Sequence, residues 1–180
     1  MINRRPEESD VLAVEVTSGR VCGSCTMCCK LPRIPVLDKP AGEWCRHCTP
    51  GVGCNIYDER PQMCREFFCQ WIENTSLADY WKPEVSKIIL TQFPRTGFIY
   101  AQVDPARPDA WKAPRLLADL KRWAAQLLEK RRHVVVFVDD DATLIMPDQT
   151  VPMGRMRPGE GFMVKTTYRD RKPVYEVSRA

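Results

Sequence analysis

The chain has 180 residues, a formal net charge of +4, and nine cysteines. That length suffices for one domain with a sizeable core, or for one domain plus a small module. So mild a charge argues against a dedicated nucleic-acid binder, and the polar opening MINRRPEESD with no long apolar run anywhere argues against a secretion signal or a membrane span, so a cytoplasmic location is expected.

Residues 1–20 read as a polar lead-in, with VLAVEV (11–16) able to pair as a short edge strand. Residues 21–74 are a cysteine-rich module in which Pro32, Pro35, Pro40, Gly42, Pro50, Gly51 and Gly53 leave little room for regular structure. One helix is expected inside it, over DERPQMCREFFCQWIE (58–73), with Asp58 as cap and Pro61 in the first turn. Residues 75–180 form an α+β region. KIILTQF (87–93) and GFIYAQV (97–103) read as strands joined at Pro94-Arg95-Thr96. A long helix is predicted over 113–132, where Leu116, Leu120, Trp123 and Leu127 share one face and basic residues crowd the last turn. HVVVFV (133–138) is a continuous apolar run that fits a central strand, and TLIMP (143–147), GFMVKTTY (161–168) and PVYEVS (173–178) complete a small sheet. The expected fold is thus α+β: an irregular cysteine-rich metal-binding module packed on a small, mostly antiparallel sheet with one long helix.

Every cysteine lies between Cys22 and Cys69, in the order C-x2-C-x2-C-C, C-x2-C, an isolated Cys54, and C-x4-C. A disulfide framework wants an oxidising compartment and usually an even count, and neither condition is met. Buried cysteines acting as small hydrophobes account for one or two, not for this spacing. Metal ligation accounts for both number and spacing, because two cysteines separated by two residues can place both sulfurs on one tetrahedral ion. A structural metal would also stabilise a module short of aliphatic side chains.

CGSCTMCC, then CRHC, then GCNIYDERPQMCREFFCQW together resemble the CxxCxxCC family of zinc- or iron-chelating proteins, also called YkgJ-like cysteine-cluster proteins. The resemblance covers about 50 residues and implies Cys22, Cys25, Cys28, Cys29, Cys45, Cys54, Cys64 and Cys69 as metal ligands; Cys48 departs from the family pattern. It extends weakly to the cysteine-rich part of flagellin lysine methylases, which implies an iron–sulfur cluster in some relatives. Zinc and an iron–sulfur cluster both stay open as cofactors: C-x2-C-x2-C opens the bacterial ferredoxin motif, but its companion cysteine-proline is absent. The expected function is metal binding, structural or partner-presenting, with metal ions as partners. An iron–sulfur enzyme or electron carrier is one alternative, and a zinc-ribbon-like nucleic-acid binder is a weaker one.

Neighbouring residues diverge in either regular conformation, so Cys28 and Cys29 are expected not to share one ion, and Cys64 and Cys69 would lie about 140° apart on an unbroken helix. Two four-thiolate centres would satisfy both pairs. Arg60 and Arg65 are expected to offset thiolate charge, His47 is a further candidate ligand, and Trp44, Tyr57, Phe67, Phe68 and Trp71 are expected to pack over the site. Asp139-Asp140-Asp141 reads as a hairpin turn, and Lys130, Arg131, Arg132, Arg155 and Arg157 as a solvated face. No catalytic constellation is found: the only histidines are His47 and His133, and no phosphate or dinucleotide glycine loop is present.

Overall fold

A computed structural model describes residues 19–93, 96–156 and 160–179. The strand expected over 11–16 and most of the lead-in lie outside the described residues, as do Pro94, Arg95 and Arg157.

The cysteine-rich stretch is built from turns. A 3-10 turn at Met27–Cys29 is followed by two paired two-residue strands, β1 (Cys48–Thr49) and β2 (Gly53–Cys54). Two one-turn helices come next, α1 (Gln62–Arg65) and α2 (Gln70–Glu73). The single helix expected over 58–73 is therefore broken, with Cys69 extended at φ −80° and ψ 154°. The break has a packing cause. Phe67 joins Met27, Leu31 and Ile89, whereas Phe68, Trp71 and Ile72 enter a different apolar cluster, and one straight helix could not serve both.

A one-turn helix α3 (Pro83–Ser86) leads into β3 (Ile88–Gln92), β4 (Ile99–Val103), the long helix α4 (Pro114–Leu128), β5 (Val134–Val138), β6 (Asp141–Ile145) and β7 (Thr150–Arg155). The five strands form one sheet in chain order. All its pairings are antiparallel except β4 with β5, which are parallel because α4 carries the chain back between them. β8 (Phe162–Arg169) and β9 (Lys172–Arg179) form a separate hairpin rather than the last strands of the main sheet. The chain is α+β with one long helix, as its patterning implies, but β7 is an addition: TVPMGR carries a proline and a glycine, which weaken a strand pattern yet are tolerated at a sheet edge. Asp139 and Asp140 make the two-residue turn between β5 and β6, with Asp139 at φ +53°.

α4 starts with Pro114 in its first turn and buries Leu116, Leu120 and Ala124. It ends four residues before the expected boundary, so Lys130, Arg131 and Arg132 lie past its end and are exposed. Arg131 turns to φ +55°, and the Arg132 N–H returns to the Leu127 carbonyl at 2.9 Å.

Alternation along the strands sorts the core into two faces. Ile88, Leu90, Ala101, Val103, Val134 and Val136 pack with α4, Trp81, Trp111, Trp71 and Ile72. On the opposite face Val135, Leu144 and Met153 meet Phe162, Val164, Tyr175 and Val177 of the β8–β9 hairpin. Ile89 points to that second face at the β3 edge and is covered by Met27 and Leu31. The cysteine-rich stretch thus grips β3 from both sides.

Two polar clamps reinforce this arrangement. Lys30 Nζ meets Asp104 Oδ1 at 2.6 Å, with side-chain exposures of only 12% and 8%. Asp119 of α4 accepts hydrogen bonds from Tyr80 Oη at 2.5 Å and Trp81 Nε1 at 2.8 Å, and pairs with Arg122 at 2.6 Å. Among the described residues no helix is long and apolar enough to cross a membrane.

Candidate functional site: a cavity walled by thiols

Each C-x2-C forms a local turn. The Cys25 N–H returns to the Cys22 carbonyl at 3.0 Å, and the Cys48 N–H to the Cys45 carbonyl at 3.0 Å. The Cys45 N–H then donates to the Cys29 carbonyl at 2.9 Å, which ties the CRHC turn to CGSCTMCC. Thr26, almost fully buried, accepts the Gly51 N–H at 3.0 Å on its hydroxyl and so brings in the β1–β2 hairpin. Between these strands of chain lies a cavity of about 510 Å³. Cys22, Cys25, Cys28, Cys29, Cys45, Cys54 and Cys64 line it, alongside Ile34, Leu37, Met63, Phe67 and Phe68 and the basic Arg33, Arg60 and Arg65. Cys69 does not line it and packs instead into the apolar clusters around Trp71 and Met27. Cys48 is not among the lining residues, and Cys29 is near enough to it to influence its acidity.

The thiols differ in acidity. Hydrogen bonding from Cys29 is the main force holding the Cys28 thiol down to about 7, with its own backbone N–H and the Arg60 guanidinium assisting and burial opposing. Cys29 is displaced strongly upward, first because its proton is shared with Cys28 and then because of burial. Burial is also the first cause of the upward shifts of Cys22, Cys25, Cys48 and Cys64, and it pushes Cys69 up to about 11. Cys28 is thus shifted in the opposite direction from Cys22, Cys25, Cys29 and Cys64 around the same cavity. Beneath it, Lys39 is nearly buried and donates to the carbonyls of Lys30 and Pro32; burial lowers its pKa.

This geometry corrects the metal reading. A metal centre needs at least three donors converging on one point. Among the described residues no group of three or more His, Cys, Asp or Glu side chains is arranged to hold an ion. The expected metal-binding module, zinc or iron–sulfur cofactor and metal-ion partners are therefore not supported, and neither is the metal-binding function nor its iron–sulfur alternative. The cysteines line the cavity without converging on one point. Cys28 and Cys29 lie in a 3-10 turn, neither strand nor α-helix, so the divergence of either regular conformation does not apply to them directly. Two four-thiolate centres are accordingly not formed.

The surrounding residues sort unevenly. Arg60 stacks over the Tyr57 ring at 3.5 Å and donates from Nε to the Tyr57 carbonyl at 2.7 Å. Arg65 donates from Nε to the Arg60 carbonyl at 2.7 Å and also reaches the Asp58 carbonyl. Both arginines line the cavity, as do Tyr57, Phe67 and Phe68. Trp71 lies in the main core instead, with the Arg20 guanidinium 4.6 Å and the Lys82 ammonium 5.3 Å from its ring centroid. Trp44 is exposed, with Lys30 Nζ 5.4 Å from its ring. His47 lines the cavity and accepts from Arg46 Nε at 3.1 Å. His133 is half-buried against the rings of Phe98 and Phe162, where burial lowers its pKa. The proximity of Cys48 to Cys29 had no sequence signal, since Cys48 is the one cysteine outside the expected pattern.

No protein-family model, curated protein or solved structure matches the chain. Membership in the CxxCxxCC family, expected from the cysteine spacing, is corrected on the same ground, together with the absence of a chelating cluster among the described residues.

Proposed function

We propose that the protein is a thiol-reactive protein that captures small anionic disulfides through Cys28. The observation that carries the proposal is the exposed Cys28 in the wall of a cavity that Arg33, Arg60 and Arg65 also line. A thiolate is the nucleophilic form of cysteine, and a neighbouring donor and a guanidinium both favour it. The reaction is thiol–disulfide exchange: the Cys28 thiolate attacks one sulfur of R–S–S–R, forms Cys28–S–S–R, and expels R–S⁻. Arg33, Arg60 and Arg65 line the same cavity and favour a ligand bearing carboxylates, while Met63, Phe67 and Phe68 favour its apolar parts. In this reading residues 21–74 are the reactive segment, residues 75–180 the α+β region that supports it, and the cytoplasm, where thiols are kept reduced, its location.

Acidity and nucleophilicity pull against each other. Lowering a thiol from 9.0 to about 7 raises its thiolate fraction at pH 7 about fiftyfold, but the lower basicity takes back most of that. The net gain over an ordinary exposed cysteine is therefore modest. The test is oxidised glutathione added to reduced protein at pH 7, with peptide mapping of the sites modified over time. Cys28 should be modified first, and Arg60→Ala should slow it. Modification of Cys22 as fast as Cys28 would refute the assignment.

A further inference from the structure

We propose that Cys48 and Cys54 form a second redox pair at the edge of the same thiol cluster: a cross-strand pair that a hydroperoxide closes to a disulfide and that two equivalents of a small thiol such as glutathione reopen by exchange, the thiol leaving as its small-molecule disulfide. The register places them directly opposite each other, Cys48 on β1 and Cys54 on β2. The Asn55 N–H bonds the His47 carbonyl at 2.7 Å, so residues 47 and 55 are a hydrogen-bonded pair. Because such pairs alternate along an antiparallel ladder, 48 and 54 are a non-hydrogen-bonded pair, whose Cα atoms in regular geometry lie about 4.5 Å apart. Both side chains leave the same face of the ribbon. That separation falls within the range a disulfide spans.

The hairpin is already shaped for closure. Pro50 and Gly51 occupy the centre of its turn, Gly51 at φ +75°, a conformation that favours glycine, and the Val52 N–H returns to the Thr49 carbonyl at 2.9 Å. Both thiols are free and half-buried. The adjacent Cys28 and Cys29 would instead have to bridge across a single peptide unit.

With a hydroperoxide as oxidant the chemistry balances. One thiolate attacks the distal oxygen of ROOH, becoming a sulfenic acid and releasing ROH. The second thiolate attacks that sulfur and releases water once protonated. Two thiols and ROOH thus become one disulfide, ROH and water.

Cleavage after Arg46 and before Asp58 releases a peptide whose only cysteines are Cys48 and Cys54. Reduced full-length protein would be treated with hydrogen peroxide, quenched with an alkylating agent, digested and weighed. The peptide should appear two hydrogen masses lighter and unalkylated, in the native protein and in Cys28→Ser alike. That variant separates this pair from the Cys28 reading, because loss of glutathione capture there would leave the bridge untouched. Recovery of the peptide with both thiols alkylated, or of Cys48 bridged to Cys29, would overturn the proposal. Cys54→Ser should leave Cys48 alkylatable; a Cys48 still blocked in that variant would also overturn it.

Discussion

Replacing Lys30 by Met tests the tie between the cysteine-rich stretch and the sheet. Lys30 directly follows Cys29, and its ammonium meets Asp104 Oδ1 at 2.6 Å with both groups largely shielded from water. At an effective dielectric of about 20 the gross attraction at that distance is about 6 kcal/mol, most of it offset by desolvation of the two ions. The informative quantity is therefore the cost of leaving Asp104 alone. Its carboxylate would keep only the Ala106 N–H at 2.9 Å, and an uncompensated buried charge costs about 3–5 kcal/mol. Lys30→Met should thus lower stability by about 3 kcal/mol in urea denaturation with an unchanged slope. Asp104→Asn in the same chain keeps the acceptor for Ala106 but removes the charge, so the double variant should recover most of the loss. A single variant within about 1 kcal/mol of the native protein, or a double variant as unstable as the single one, would show that the pair is not held in a shielded site.

Three further outcomes follow from the same physics. Asp119→Ala removes the acceptor for Tyr80 Oη and the buried Trp81 Nε1, and should cost about 3 kcal/mol by chemical denaturation; a loss under about 1 kcal/mol would contradict the shared-acceptor geometry. Lys87 ends α3 at φ +62°, so Lys87→Gly should be neutral or slightly stabilising, whereas Lys87→Val should cost more than about 1 kcal/mol; equal melting temperatures for the two variants would refute the left-handed cap. Burial raises Cys69 from 9.0 to about 11, so its contribution is fully present below pH 9 and lost as pH rises toward 11. Cys69→Ala should flatten that part of the stability–pH curve, and an unchanged slope would argue against its burial.

The periodic elements were legible from side-chain pattern alone. Leu116 and Leu120 at four-residue spacing identified α4, and the run Val134–Val138 identified a central strand, because burial of one stripe or both faces leaves a direct trace in composition. Elements shaped by tertiary contacts were harder to read. Nothing in DERPQMCREFFCQWIE shows that Phe67 and Trp71 go to different clusters, and β7 is disguised by Pro152 and Gly154. The eight family-pattern cysteines do gather, apart from Cys69, around one cavity. Spacing along a chain made of turns fixes which thiols are near one another, but not whether three sulfurs point at one spot, and on that the expectation failed.

The grip on β3 has a consequence for solubility. β3 is an outer strand whose residues Ile88 and Ile89 are both fully covered, and it lacks the usual safeguards of an exposed edge, having neither proline nor charge in IILTQ. The opposite edge, β7, carries its own protection in Pro152 and a register irregularity opposite Ala142 and Thr143. Residues 27–31 and 67–72 thus pack on the two side-chain faces of an otherwise adhesive edge strand. Loosening them would offer β3 as a template to another copy of the chain, so damage to the thiol segment would register first as self-association.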